Sequence, residues 1–395
     1  MSIDESKVLI RRCAVLVFEP QETVEFDLQE LVGGGDGLRR TLRWQALAPH
    51  LGEPVAVDAR QRELLGRISP SAWTALDSLG EERGTAQALL DSGLLVARAP
   101  GLHDAHRERD ERLRQGYWHP LGAVLHAFTR WDGVDAVRNM HESGTETASK
   151  MRQVLGEPPA EARRLVTADD ELIRLPEVPH SDFDALMHRR VTCRNFDASR
   201  PVPLPVFAKV IERALAAQAK VEVTGDLVFL KKNVPSGGGL HPMEAYLVVQ
   251  NVEGLAPGLY HYRADVHALE ALPAPEGGLP EFVMEAVAQQ HWFGDAHVLV
   301  ALAPRFDRTF WKYRHHAKGY RVVALEAGHV SQTLYLAATD LGLGAFITGA
   351  INEKHLERAL GLDPVTQGVV AICGFGWRAS QMTVAELDPA CRIWA

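Results

Sequence analysis

Residues Trp311–His329 read WKYRHHAKGYRVVALEAGH, and the character of the chain changes part-way along this stretch. Lys312, Arg314, His315, His316, Lys318 and Arg321 crowd into its first eleven positions, with Trp311, Tyr313 and Tyr320 among them. From Tyr320 the apolar spacing becomes that of a long helix running to about Leu341. Donors and aromatic rings at the mouth of a buried helix suit an anionic or electron-rich ligand. A solvated basic loop is the plainer reading of the same composition.

Outside this stretch the chain is not basic. It has 395 residues, room for two domains, with 46% hydrophobic and 24% charged residues and a formal net charge of −9. A general binder of nucleic acid or of anionic membranes would carry a basic surplus. The start, MSIDESKVLIRRCAVLVF, places acidic residues before a short apolar run and offers no small-residue cleavage site. No apolar run reaches the ~20 residues that span a bilayer. Cys13, Cys193, Cys373 and Cys391 are far apart and form no CxxC pair. Thiols so placed fit a reducing, cytoplasmic setting.

The first hundred residues read as strands followed by helices. Val8–Pro20, Thr23–Leu28 and Leu38–Ala48 are strand-like, and the glycines at 33–35 with Asp36-Gly37 mark a hairpin turn. Two short helices broken near Pro70 and a third at Ala86–Leu95 follow. Residues 1–98 thus describe a small winged-helix-like domain. Residues 99–180 read as a helical connector: HDAHRERDERLR (103–114) is densely charged and solvated, and Pro158, Pro159, Pro176 and Pro179 break the pattern.

From Ser181 to the C-terminus helices and strands alternate without regular βαβ units. Val206–Leu215, Leu279–Gln290 and Tyr320–Leu341 are helical. Ala245–Asn251, His297–Ala303, Gly344–Ile351 and Val369–Gly374 are strands. This favours an α+β fold with helices packed on a sheet. Three stretches of this region carry candidate ligand-binding residues. In Arg190-Val191-Thr192-Cys193-Arg194 an extended chain points Arg190, Thr192 and Arg194 the same way, a donor set for phosphate. In Pro235–Pro242 the run Gly237-Gly238-Gly239 lets backbone approach a flat or anionic ligand. In GFGWR (374–378) Arg378 emerges at a sheet edge. Surface arginines and a plain turn are the alternatives. Glu326 and His329 share one helix face as Glu-x-x-His, but a metal site would need further carboxylates, so a hydrogen-bonded Glu–His pair is expected and no metal.

Taken in order, these stretches resemble the FMN-dependent nitroreductase superfamily, and within it the SagB/McbC-type dehydrogenase branch of peptide maturation. The superfamily's Arg-Arg-Ser-x-Arg-x-Phe signature is similar to Arg190–Phe196, with Val191 where Arg or His is usual and Thr192 for Ser. The branch's loop is similar to Pro235–Pro242, its hairpin to Gly254–Tyr262, and its Lys-Tyr pair to Lys312-Tyr313. Its Glu-x-Gly-His-x-x-Gln helix is similar to Glu326–Gln332, and its glycine turn to Leu341–Gly344.

The resemblance implies a nitroreductase-like FMN-binding domain over 181–395. FMN phosphate would be held by Arg190, Thr192, Arg194 and Arg378, and the ring by Ser236, Gly237, Gly238, Gly239, Thr348 and Gly349. It implies a homodimer that oxidises thiazoline or oxazoline rings of a precursor peptide to azoles, with electrons passing to dioxygen. Lys312, with Tyr313, would take the proton, and His241 is a second candidate. The first domain would grip a leader peptide, and a cyclodehydratase would be a partner. An NAD(P)H-dependent flavin reductase acting on nitro compounds, quinones or dehydroamino acids is the alternative enzyme. A peptide-binding scaffold with a degenerate flavin site is the alternative without catalysis.

Overall fold

A computed structural model of the chain describes residues 8–98, 101, 103–159, 164, 166–225 and 227–394. Residues 1–7, on which the expectation about a targeting signal rests, lie outside the described residues. So do residues 99, 100, 102, 160–163 and 165 of the expected connector. The chain divides into two compact units, each built from discontinuous pieces. The first is Met1–Arg130, Arg305–Val322 and Asp363–Gln367; the second is Trp131–Pro304, Val323–Leu362 and Gly368–Ala395.

The first unit contains β1 (Leu9–Arg12), β2 (Val17–Phe26), β3 (Leu38–Leu47), β4 (Val55–Val57), β5 (Thr74–Ala75) and β6 (Leu95–Ala97). They form two antiparallel sheets, β5-β1-β6 and β2-β3-β4. The expected strand Val8–Pro20 is therefore two strands in different sheets, because the chain leaves its first pairing at Cys13. Between β2 and β3 the chain makes a one-turn helix, Leu28–Val32, where a bare hairpin turn was expected. Asp27 caps it by accepting the Gln29 N–H at 2.9 Å. Gly34 and Gly37, both at positive φ, close the return. Helices Ala59–Arg67 and Arg83–Asp91 bury Leu64, Leu65, Leu89 and Leu90 against Ile10 and Leu95.

The charged run after residue 103 is not a solvated connector. It is a helix, Asp104–Gln115, and Asp110 within it is fully buried. Asp110 accepts the Ala14 N–H at 2.6 Å and Arg114 at 2.7 Å, with Arg11 at 3.9 Å. Charge density alone suggested solvent, but paired charges can be buried when each is answered. Helix Pro120–Phe128 follows, with proline at its first position.

The second unit contains β7 (Ala217–Thr224), β8 (Leu227–Lys232), β9 (Met243–Val249), β10 (Gly258–Arg263), β11 (Ala268–Ala271), β12 (Val298–Pro304), β13 (Gly344–Thr348) and β14 (Ala371–Gly376). Its main sheet is antiparallel throughout, in the order β11-β10-β9-β12-β14-β13. Successive residues of a strand face opposite sides. Ala245, Leu247, Val249, Val298, Val300 and Leu302 therefore pack with helices Leu204–Leu215 and Gly319–Asp340. Tyr246, Val248, Leu299, Ala301 and Ala303 pack with helices Leu279–Ala286 and Glu353–Leu360. Both faces are covered, which is why β9 and β12 read as continuous apolar runs. This is the expected α+β arrangement. The hairpin β7–β8, which no sequence signal singled out above, precedes the glycine loop. Among the described residues no helix is long and apolar enough to cross a membrane.

Candidate cofactor site

Helix Asp182–Arg189 starts at Ser181, whose side chain and that of Asp184 cap each other's backbone, and it ends at Arg190. The chain then runs along the edge strand β13: Thr192 bridges Ala345, and the Cys193 N–H donates to Ala345 O at 2.8 Å. This register sets the Thr192 hydroxyl 3.0 Å from the Tyr335 hydroxyl on helix Gly319–Asp340. The Arg190 guanidinium lies over the same ring, 5.3 Å from its centre. The Ile347 N–H donates to the Tyr335 hydroxyl at 3.2 Å. Burial raises the Tyr335 phenol, so it stays a neutral donor and acceptor. Among the described residues no carboxylate pairs with Arg190, so Arg190 and Thr192 leave a cation and a hydroxyl side by side.

Arg194 and Arg378 do not join them. The Arg194 guanidinium donates to Ala385 O at 3.0 Å. Arg378 pairs with the buried Glu386 carboxylate and donates to Val191 O at 3.2 Å. The chain segment that supplies the Arg194 acceptor is held by the next residue, Asn195, whose side chain accepts the Thr383 and Val384 N–H groups at 2.8 Å each.

The glycine loop is held from the long helix. Ser236 donates to Glu326 and accepts the His241 N–H at 2.9 Å. The His329 ring places Nδ1 3.1 Å from Pro235 O; a carbonyl only accepts, so Nδ1 carries the hydrogen. Glu326 and His329 thus clasp the loop, and the expected Glu–His pair is not formed. Gly238 and Gly239 take φ of +66° and +70°, which a side chain would strain. Glu326 is 2% exposed, and burial raises its carboxyl above the usual range against the opposing Ser236 hydrogen bond.

Thr348 turns its hydroxyl inward, where Gln290 Nε2 donates to it at 3.2 Å. Gly349 next to it is exposed, and among the described residues a Cβ there would meet nothing within 4 Å. The same holds for Gly328 on the long helix.

Lys312 and Tyr313 belong to the first unit, at the end of helix Phe306–Lys312. Lys312 is exposed, its ammonium 5.7 Å from the Tyr313 ring centre, so the partly buried lysine expected from its aromatic neighbours is not seen. Arg314 stacks on Tyr117 at 4.3 Å rather than beside Lys312. Tyr335, Asn195 and Glu386 were missed by sequence reasoning. Tyr335 is readable in hindsight, at i+7 from Gly328 on the same helix face; nothing local marks Glu386.

Residues 187–377 match the nitroreductase family. MJ1384 of Methanocaldococcus jannaschii, assigned to the nitroreductases, is 30% identical over 188 residues, spanning 48% of this chain and 88% of that protein. The chain belongs to the nitroreductase family. Within the family it is similar to the trifolitoxin-processing protein TfxB of Rhizobium leguminosarum bv. trifolii, 31% identical over 42% of this chain and 45% of that protein. The microcin B17-processing protein McbC of Escherichia coli is 26% identical over 37% of this chain and 54% of its own length. The chain thus matches about half of each processing protein, in agreement with the SagB/McbC-type branch.

Proteins of the nitroreductase family depend on FMN. The residues present fit such a group in part. Arg190 and Thr192 supply phosphate donors, and Gly238 and Gly349 are exposed, so backbone there can approach a flat ring. Arg194, Arg378 and the Thr348 hydroxyl have other partners in this structure.

Proposed function

We propose that this oxidoreductase is an FMN-dependent dehydrogenase of ribosomal peptide maturation, oxidising thiazoline or oxazoline rings of a precursor peptide to azoles. The observation that supports it most is the convergence of Arg190 and Thr192 on Tyr335 in a chain related to two peptide-processing proteins. When bound, FMN would accept a hydride equivalent from the ring and pass the electron pair to dioxygen. Arg190 and Thr192 would hold its phosphate, and the backbone of Ser236–Gly239 and of Thr348–Gly349 would hold its ring system. Glu326 and His329 keep the first of these loops in one conformation. Lys312 would take the proton from the carbon next to the ring nitrogen, with Tyr313 orienting it.

The partners proposed are a precursor peptide, a cyclodehydratase that forms the azoline, and a second copy of this chain. The first unit would bind the leader segment of the peptide. A mid-helix glycine costs roughly 0.5–1 kcal/mol relative to alanine. Gly328, with nothing over it among the described residues, is accounted for if a ligand or a second copy lies there.

The test is to load the purified protein with FMN and compare it with Lys312→Ala. The variant is expected to keep flavin absorbance and lose peptide oxidation; oxidation at the wild-type rate removes Lys312 from the mechanism. The likeness to MJ1384 favours a second reading, reduction of a small acceptor by NAD(P)H. Bleaching of bound flavin by NADPH without peptide would decide for it.

A further inference from the structure

The segment Ala379–Trp394, beyond the family match, is tied to Arg194 and Asn195 and fastened there by one buried carboxylate. The Glu386 side chain has no exposed surface. Its Oε1 accepts the Arg194 N–H at 2.6 Å, the Asn195 N–H at 3.1 Å and Asn195 Nδ2 at 2.8 Å. Its Oε2 accepts Trp394 Nε1 at 2.8 Å and the Arg378 guanidinium. Burial alone would raise this carboxyl; the donors from Arg194, Asn195 and Trp394, with the charge of Arg378, outweigh it and hold it below the usual range. A buried charge this fully answered fixes the groups that answer it.

The groups so fixed bracket the anion-binding pair. On one side Arg378 reaches from Glu386 to Val191 O at 3.2 Å. On the other Glu386 takes the backbone N–H groups of Arg194 and Asn195. Thr192 lies between these two anchors, and Arg190 directly precedes the first. Asn195 adds a second clasp, since its Oδ1 accepts from Thr383 and Val384 and its Nδ2 donates to Val384 O at 2.8 Å. Asp388 folds the end of the segment back by accepting the Ile393 and Trp394 N–H groups at 2.7 and 2.9 Å. That fold carries the Trp394 indole to Glu386.

We infer that Glu386 is a positioning residue for the flavin phosphate. The C-terminal segment, lying beyond the family match, sets the phosphate affinity by pinning the backbone around Thr192. Arg378 acts in it as a pin and not as a phosphate ligand. This rests on the FMN reading above.

Apoprotein of wild type, Glu386→Gln, Trp394→Phe, Arg378→Met and the Glu386→Gln/Arg378→Met pair is titrated with FMN and with riboflavin, which lacks the phosphate. Folding of each is checked by circular dichroism and melting. Glu386→Gln is expected to weaken FMN binding roughly tenfold, the scale on which partners behind a binding site act, with little change for riboflavin. Trp394→Phe, which removes one donor and keeps the ion pair, falls between wild type and Glu386→Gln. The double variant is no weaker than Glu386→Gln alone. Unchanged FMN affinity in Glu386→Gln, or tighter binding because Arg378 is released to the phosphate, overturns the inference. Wild type that binds neither flavin fails the FMN reading itself and this inference with it.

Discussion

Arg190 and Thr192 are neighbours in sequence and in space, and Tyr335 is what makes them a site. A guanidinium over the ring and a hydroxyl at 3.0 Å from its oxygen fix two donors without spending either on a carboxylate. Each hydrogen bond to a charged phosphate contributes about 1.5–3 kcal/mol, so Arg190→Ala is expected to weaken FMN binding by about tenfold to a hundredfold in a fluorescence titration. Its effect on riboflavin should be small; equal losses for both flavins would place Arg190 elsewhere. Glu326 offers a test through pH. Burial favours its protonated form in the folded chain, so the stability it contributes is full below the ordinary glutamate range and is lost as pH rises through its raised value. Glu326→Gln keeps an acceptor for Ser236 and has no proton to lose. Its melting temperature should therefore gain on wild type as pH rises from about 4 towards neutrality, and a gap independent of pH would contradict the assignment.

Among the elements, the buried strands of the main sheet and three of the helices packed on it were readable, because burial on both faces writes itself as unbroken apolar runs; helix Glu353–Leu360 was not read. The long helix was readable to within a residue at each end. What sequence could not show were partnerships across long separations. The charged helix Asp104–Gln115 looks solvated until Arg11 is brought to Asp110. Nor does sequence bring Glu386 to Arg378. Both partnerships were missed for one cause: the sign of a charge is local information, and the group that answers it is not. The sheet's own packing is exacting at Gly374, where a Cβ on β14 would stand 2.2 Å from the Phe346 ring. Phe346 is stacked on Phe293 at 3.8 Å and has no room to withdraw. Gly374→Ala is expected to cost about 1–3 kcal/mol in denaturant unfolding, the range for overpacking, and a neutral effect would show that the ring can move.

At the scale of the whole molecule, the proposal assigns cofactor binding and proton transfer to different residues. Flavin retention and turnover should therefore separate: Arg190→Ala impairs the first, and Lys312→Ala only the second. A nitroreductase fold serves many acceptors, so a peptide azoline as substrate is a narrower claim than family membership. The direct measurement is mass spectrometry of an azoline-containing precursor peptide after incubation in air with the FMN-loaded protein. The expected result is the loss of two hydrogens per ring, abolished in Lys312→Ala. A peptide of unchanged mass beside protein that retains its flavin would contradict it.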